Sequence, residues 1–268
     1  MEQRFGEGAG VGQCRAGAGM GRRREGPGVV SRRQGAGVDR RGGGGGGPRM
    51  SRDEVWQAID DERGSVAALL ESLSEQEWET PSLCAGWRVR DVAAHLTLSQ
   101  MGLIPAVVAA ARARGNFNRM VHDTAVRQAR LSTHEYAPRL RAMAGSRKKA
   151  PGVSHLEPLI DVLVHGQDIA IPLGRTRPVP AEAATAAADR VWPNLFPWRP
   201  ARKLSGLRFA ATDCSWTAGD GELVEGPIAA ILLLLTGRVA GLPQLSGPGV
   251  KRVIPEMSAG GVGGPQGT

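Results

Sequence analysis

Between Val55 and Leu73 the apolar residues recur every three or four positions: Val55, Trp56, Ile59, Val66, Leu69, Leu70 and Leu73. That spacing places them on one face of an α-helix. Ser51-Arg52-Asp53-Glu54 just ahead has the form of a capping box, with Ser51 as N-cap and Glu54 three residues on. The pattern breaks over 74–85, where Pro81 and Cys84-Ala85-Gly86 mark a loop. A second helix is predicted over about 88–114, with Asp91 in its first turn, where a negative charge suits the helix dipole. A third covers most of 117–143 and ends at Gly145. The basic loop Arg147-Lys148-Lys149, followed by Pro151-Gly152, leads into a fourth helix over about 156–171. Pro158 fits there because it falls in the first turn, and Pro172 and Gly174 stop the helix. Four such helices joined by moderate loops predict a bundle.

After Pro178 the character of the chain changes. A short alanine-rich helix is expected over about 180–191, then a Pro/Trp-rich connector over 192–198. Residues 207–212 and 215–218 read as strands, and Gly219-Asp220-Gly221 turns the chain into a third strand over 222–225. Gly226-Pro227 opens a last buried helix that ends at Gly237-Arg238. The expected organisation is a Gly/Arg-rich tail (1–49), a helical bundle (50–178), a small α+β C-terminal domain (179–257) and a flexible end (258–268). The fold class is mainly α.

Charge changes this picture less than its total suggests. The net charge is +8, but residues 1–49 hold ten arginines against four acids, so six of those charges sit in the tail. The remainder is nearly neutral, and the basic balance says little about its partners. The tail also carries 17 of the 38 glycines and almost no large apolar residues, a composition that does not offset its ordering entropy, so it is expected to be disordered. It has one aromatic, Phe5, and no regular repeat. We therefore read it as an inert extension upstream of a start at Met50 rather than as a nucleic-acid-binding arm. Cys14, Cys84 and Cys214 are odd in number and widely spaced, which suits a reducing cytoplasm and gives neither a disulfide framework nor a cysteine zinc site. The longest apolar run, 228–235, is too short to span a bilayer.

The candidate chemistry lies on two of the predicted helices. Asp161 and His165 are four apart in an apolar stretch, so they stand one turn apart on the same side. With Asp168 they fall within about 60° of one another on a helical wheel, beside the stripe of Leu156, Leu159, Ile160, Leu163 and Val164. A carboxylate and an imidazole so placed can hold one divalent ion, and His95 on the second helix supplies a third ligand if the two helices meet. Three protein ligands leave a coordination position open, as catalytic metals require. Asp168 is open to three readings: a fourth ligand, the carboxylate that orients His165, or a solvent-facing helix residue. His122, His134 and His155 lack such partners in the sequence.

The segment 77–96, containing Cys84-Ala85-Gly86-Trp87-Arg88-Val89-Arg90-Asp91-Val92-Ala93-Ala94-His95-Leu96, resembles the mycothiol-dependent maleylpyruvate isomerase family. So does Leu159-Ile160-Asp161-Val162-Leu163-Val164-His165-Gly166-Gln167-Asp168, and the likeness continues through Ala211-Thr212-Asp213, Trp216, Gly226-Pro227 and Thr236-Gly237-Arg238. The resemblance covers about 52–250. It implies a DinB-like four-helix bundle holding a divalent metal, typically zinc, on His95, Asp161 and His165. The middle ligand is usually a glutamate in the family and is the shorter aspartate here. It implies further that a low-molecular-weight thiol, mycothiol, becomes a thiolate at the metal and adds to a small electrophile, giving S-transfer or cis–trans isomerisation. Arg90 and Arg238 are then candidates to hold substrate carboxylates, and Cys84 is not expected to be the nucleophile, because the thiol comes from the co-substrate. The competing reading is a bundle that binds metal or ligand without turnover. Oligomeric state is left open by the sequence.

Overall fold

The computed structural model describes residues 49–100, 117–149, 152–193, 195 and 198–253. The N-terminal tail up to residue 48 and the chain end after residue 253 lie outside the described residues.

The first predicted helix is α1 (Arg52–Glu71). Its capping box forms as expected: the Glu54 N–H donates to the Ser51 hydroxyl at 3.3 Å and the Ser51 N–H to Glu54 Oε2 at 2.6 Å. The segment that follows is not all loop. Ser74 and Glu77 form a second capping box around the one-turn helix α2 (Glu75–Trp78), an element signalled by the Ser-x-x-Glu spacing. Glu77 also receives Arg175, 98 residues further along the chain, at 2.7 Å. The Ser74 backbone N–H, then Arg175, then the Ser74 hydroxyl hold its carboxyl down at about 2. A depressed carboxyl pKa stabilises the fold above the ordinary value of 4.5, and that contribution is lost as pH falls toward about 2. Denaturation of Glu77→Gln beside the natural chain should therefore show a stability gap that narrows over that window. A gap unchanged from pH 6 to pH 2.5 would contradict the assignment.

Helix α3 (Val89–Leu96) starts where Asp91 accepts the Arg88 N–H at 2.9 Å. The predicted continuation beyond residue 100 lies outside the described residues up to residue 116. The third predicted helix is broken in two, α4 (Phe117–Gln128) and α5 (Tyr136–Arg141), with a 3₁₀ turn, Thr133–Glu135, before the second piece. Two causes are visible. Pro138 has no N–H to continue a helical ladder and is tolerated only in a first turn. The Tyr136 hydroxyl donates to the carbonyls of Gln128 and Leu131 at 3.4 and 3.3 Å, taking up acceptors that the break leaves free. Helix α6 (Glu157–Ala170) has Pro158 in its first turn and ends in a 3₁₀ turn, Ile171–Leu173, with Gly174 in the left-handed region.

The C-terminal part runs α7 (Ala181–Val191), α8 (Pro200–Lys203), β1 (Leu207–Ala211), β2 (Thr217–Gly219), β3 (Glu222–Gly226) and α9 (Ile228–Leu235). The strand order is β2-β1-β3, with β1 antiparallel to β2 and parallel to β3. The turn after β2 therefore closes no hairpin. It carries the chain across the start of β1 to its other edge.

Helices α1 and α6 tie the molecule together because each contributes to two apolar clusters. Val55, Trp56 and Ile59 of α1 and Leu159, Ile160 and Leu163 of α6 pack with the alanines of α7, the sheet and α9. Val66, Ala67 and Leu70 of α1 and Val162 and Ile169 of α6 pack with α3, Trp78, Trp87, Tyr136 and Leu140. Two charges are buried between them: Glu62 of α1 and Arg177, after α6, form an ion pair with side chains only 7% and 4% exposed. The guanidinium lies directly over Gly166, where an added Cβ would stand 2.7 Å from Arg177 Nη1. A residue with a side chain at 166 would displace it.

Candidate metal centre

Three features of the local fold bring α3 and α6 together at their chemistry-bearing faces. The loop before α3 is held by the Val89 N–H on the Thr80 carbonyl at 2.9 Å and the Ser82 N–H on the Trp87 carbonyl at 2.8 Å. The same loop is docked on α6 through the Leu83 N–H, which donates to the Asp168 carbonyl at 3.2 Å. Trp87 is thereby pressed against both candidate histidines, its ring centroid 5.4 Å from that of His95 and 6.4 Å from that of His165.

The two helices meet. Asp161 stands between the histidines, with Oδ2 3.6 Å from His95 Nε2 and Oδ1 3.8 Å from His165 Nε2. One ligand atom from each of the three lies within 4.8 Å of the other two. Tetrahedral zinc with bonds near 2.0–2.1 Å requires ligand atoms about 3.4 Å apart, so the set fits such an ion with small side-chain adjustments. The shorter aspartate still reaches both imidazoles. The set is open to solvent, with Asp161 34% and His95 19% exposed. Desolvation pushes the Asp161 carboxyl up, but the close approach of the His95 imidazole and the charges of His95, His165 and Arg238 outweigh it and hold the group below its ordinary value. The residue is thus kept in the ionised form a metal needs.

Behind His165 lies a buried polar cluster. His165 Nδ1 is 2.8 Å from Asp168 Oδ2, and the Asp168 side chain is fully buried. Arg238 clamps the same carboxylate, Nε on Oδ1 at 3.0 Å and Nη2 on Oδ2 at 2.8 Å. The Cys84 thiol donates to Oδ2 at 3.1 Å. Burial alone raises the Asp168 carboxyl, yet Arg238 and His165 together hold it far below the ordinary carboxylate range. With these contacts already made, Asp168 is placed to orient His165, presenting Nε2 toward Asp161. Burial and the Asp168 charge push the Cys84 thiol well above its ordinary value, against a smaller opposing effect of Arg238. A buried thiol kept protonated is a poor nucleophile.

Arg238 reaches this cluster because of how α9 ends. The Gly237 N–H donates to the Leu234 carbonyl at 2.9 Å and the Arg238 N–H to the Leu233 carbonyl at 2.8 Å, with Gly237 at φ 88°. This is the left-handed glycine stop that reverses a chain at a helix end. Its third nitrogen, Nη1, donates to the Thr236 carbonyl at 2.6 Å. Arg90 is placed elsewhere, paired with Glu79 at 2.7 Å and reaching the Leu131 carbonyl at 3.5 Å. Neither Trp87 nor Cys84 was singled out as a partner of the histidines by sequence. The only signal was their position in the loop that enters the ligand helix.

Residues 59–152 match the family model described as the mycothiol maleylpyruvate isomerase N-terminal domain. By sequence, the likeness to this family rests on that stretch, about a third of the chain. The stretch holds His95 and stops before Asp161. The fold extends the likeness: a crystal structure of the mycothiol-dependent maleylpyruvate isomerase aligns with a TM-score of 0.53 at 13% identity, covering 74% of this chain and 93% of that one. A histidine-to-alanine mutant of that isomerase aligns with a TM-score of 0.52 at 12% identity over the same shares. The DinB-like bundle with its small α+β partner is therefore the fold of this chain. No curated protein matches it. Among the described residues no helix is long and apolar enough to cross a membrane.

If Asp168 orients His165, its conversion to asparagine should weaken zinc binding by about 10–100-fold, the usual effect of losing a carboxylate behind a ligand histidine. Chelator competition reads this directly, and an affinity within twofold of the natural chain would remove Asp168 from the assembly.

Proposed function

We propose that this protein is a zinc-dependent enzyme that uses a low-molecular-weight thiol, mycothiol, either to isomerise a small electrophile or to transfer the thiol sulfur to it. The observation that carries the reading is the convergence of His95, Asp161 and His165 from two helices, open to solvent on one side and fixed from behind on the other. Two imidazoles and a carboxylate suit zinc and leave the fourth position for a ligand. A zinc ion held there supplies Lewis acidity, which lowers the pKa of a thiol bound at that position.

The chain's own residues do the rest. His95, Asp161 and His165 hold the ion, and Trp87 packs on both imidazoles so that their rings keep one orientation. Asp168 accepts from His165 and is kept ionised by Arg238, which acts in this reading through that carboxylate. Cys84 remains a hydrogen-bond donor, so the reactive thiol must come from outside. Reversible addition of that thiol across a double bond gives cis–trans isomerisation, because the adduct has a freely rotating single bond. Addition without expulsion gives S-transfer. The free thiols of Cys84 and Cys214 agree with a reducing, cytoplasmic setting.

Elemental analysis of the full chain, followed by thiol-dependent turnover with mycothiol and maleylpyruvate as first probes, tests the proposal. One equivalent of zinc and turnover that vanishes without thiol are expected. Stoichiometric zinc with no thiol-dependent conversion across a panel of electrophiles would favour the non-catalytic binding bundle instead.

A further inference from the structure

The His165 ring faces two sets of donors, one from each nitrogen. Nε2 looks toward Asp161, 3.8 Å from Oδ1, and belongs to the candidate zinc ligands. Nδ1 looks the other way, 2.8 Å from Asp168 Oδ2 and 3.7 Å from Cys84 Sγ. The Cys84 thiol is itself 3.1 Å from Asp168 Oδ2. A thiol, an imidazole nitrogen and a carboxylate oxygen thus form a second triad whose ligand atoms all lie within 4.8 Å of one another, and it shares only His165 with the first. The span from Sγ to Nδ1 suits a single ion. Metal bonds of about 2.3 Å to sulfur and about 2.0 Å to nitrogen, at a tetrahedral angle, put the two atoms about 3.6 Å apart.

Charge decides which ion. Arg238 already neutralises Asp168, with Nε on Oδ1 at 3.0 Å and Nη2 on Oδ2 at 2.8 Å, and the same Nη2 stands 3.7 Å from Cys84 Sγ. The Asp168 side chain is fully buried, Arg238 is 11% exposed and Cys84 is 7% exposed. A divalent ion on a Cys84 thiolate would leave a net positive charge beside that guanidinium, where little water reaches it. A monovalent ion that replaces the thiol proton adds no charge. Thiolate sulfur selects soft ions, and among the monovalent ones Cu⁺ also suits imidazole nitrogen. Such an ion takes Cys84 and His165 as its strong ligands, so the Asp168–Arg238 pair stays closed.

We propose that Cys84 Sγ and His165 Nδ1, with Asp168 alongside, form a site for the soft monovalent cation Cu⁺, and that its occupation excludes a divalent ion from the neighbouring set. The exchange balances without any change of oxidation state. The S–H bond of Cys84 breaks, its proton leaves to solvent, and copper forms one bond to sulfur and one to nitrogen. A neutral imidazole has a single nitrogen free to accept. When copper takes Nδ1, the ring proton moves to Nε2, which changes from a ligand for zinc into a donor. One ring therefore serves one metal at a time. Copper binding stands on its own geometry, and only the competition rests on the zinc reading of the first set.

The test uses the full-length protein with Cys14 and Cys214 changed to serine, which removes the other two thiols. Anaerobic titration of its metal-free form with Cu⁺ held by a colorimetric chelator should give one equivalent. Adding Cys84→Ser should weaken the affinity by more than about 100-fold, beyond the cost of losing a merely orienting partner. Proton–nitrogen correlation spectra of the histidine rings should show the His165 proton on Nδ1 before copper and on Nε2 after it. In the zinc-loaded form, one equivalent of copper should release the zinc. An affinity that Cys84→Ser leaves unchanged would overturn the site. So would copper bound with the His165 proton still on Nδ1, a measurement that needs no variant at Cys84. Copper and zinc held together, one equivalent of each, would overturn the competition. Protein that binds copper in this way but never zinc would count against the zinc reading and leave the copper site standing.

Discussion

Replacing His165 by alanine should cost the protein its divalent ion. His165 supplies one of three ligand atoms that lie within 4.8 Å of one another, and it is the residue that joins the set to the buried carboxylate behind it. Losing a ligand should exceed the roughly 10–100-fold cost of losing an orienting partner. A fall in zinc affinity of more than about 100-fold is therefore expected, with zinc missing on elemental analysis after dialysis. His95→Ala should behave alike, because Asp161 and His165 sit on one helix and cannot enclose an ion alone. His134, exposed on the 3₁₀ turn before α5, serves as control, and its removal should leave the metal in place. If the double variant His95→Ala/His165→Ala kept one tightly bound equivalent, the assignment of the ligands would fail.

The largest expected effect on stability belongs to Arg177→Met. Burial pushes the Glu62 carboxyl above its ordinary value, and the Arg177 charge opposes that push. Without the guanidinium a carboxylate would be left buried and unpaired, a change that typically costs about 3–5 kcal/mol. Urea denaturation at neutral pH should show this loss. The defect should shrink as pH falls, because the folded-state pKa of Glu62 would then lie above the unfolded one and protonation would favour the fold. Converting both partners, as Glu62→Leu with Arg177→Met, should restore most of the stability, since apolar residues of similar volume often replace a buried pair at little cost. A single variant within about 0.5 kcal/mol of the natural chain, the range of ordinary surface substitutions, would mean that the pair is not buried in solution.

Much of the bundle was legible because α1, α3 and α6 bury apolar stripes at helical spacing, with a capping box ahead of α1 and Pro158 in the first turn of α6. The same sequence logic misread 117–143, where apolar and polar residues alternate without a strong stripe and Pro138 was the decisive residue. The pairing of Asp161 with His165 was visible from spacing, because four residues make one turn. The role of Asp168 was not. Spacing placed it beside His165, but only the arrival of Arg238, seventy residues later, decides that it is buried and ionised. Glu62 and Arg63 did leave a trace. They occupy the three- and four-residue steps from Ile59 along the apolar stripe of α1, where charges are out of place unless something is paired with them.

The clamp of Arg238 on Asp168 also bears on how such a protein can change over generations. His165, a ligand in the proposed reading, is held through Asp168 by a side chain from the α+β half, so on that reading the bundle alone would not carry the complete site. A recombination that replaced the C-terminal half would have to deliver an arginine to the same spot, behind a glycine stop like Gly237, or leave a buried carboxylate unpaired. The two halves are therefore expected to be inherited together, and drift at position 168 should be tied to drift at position 238.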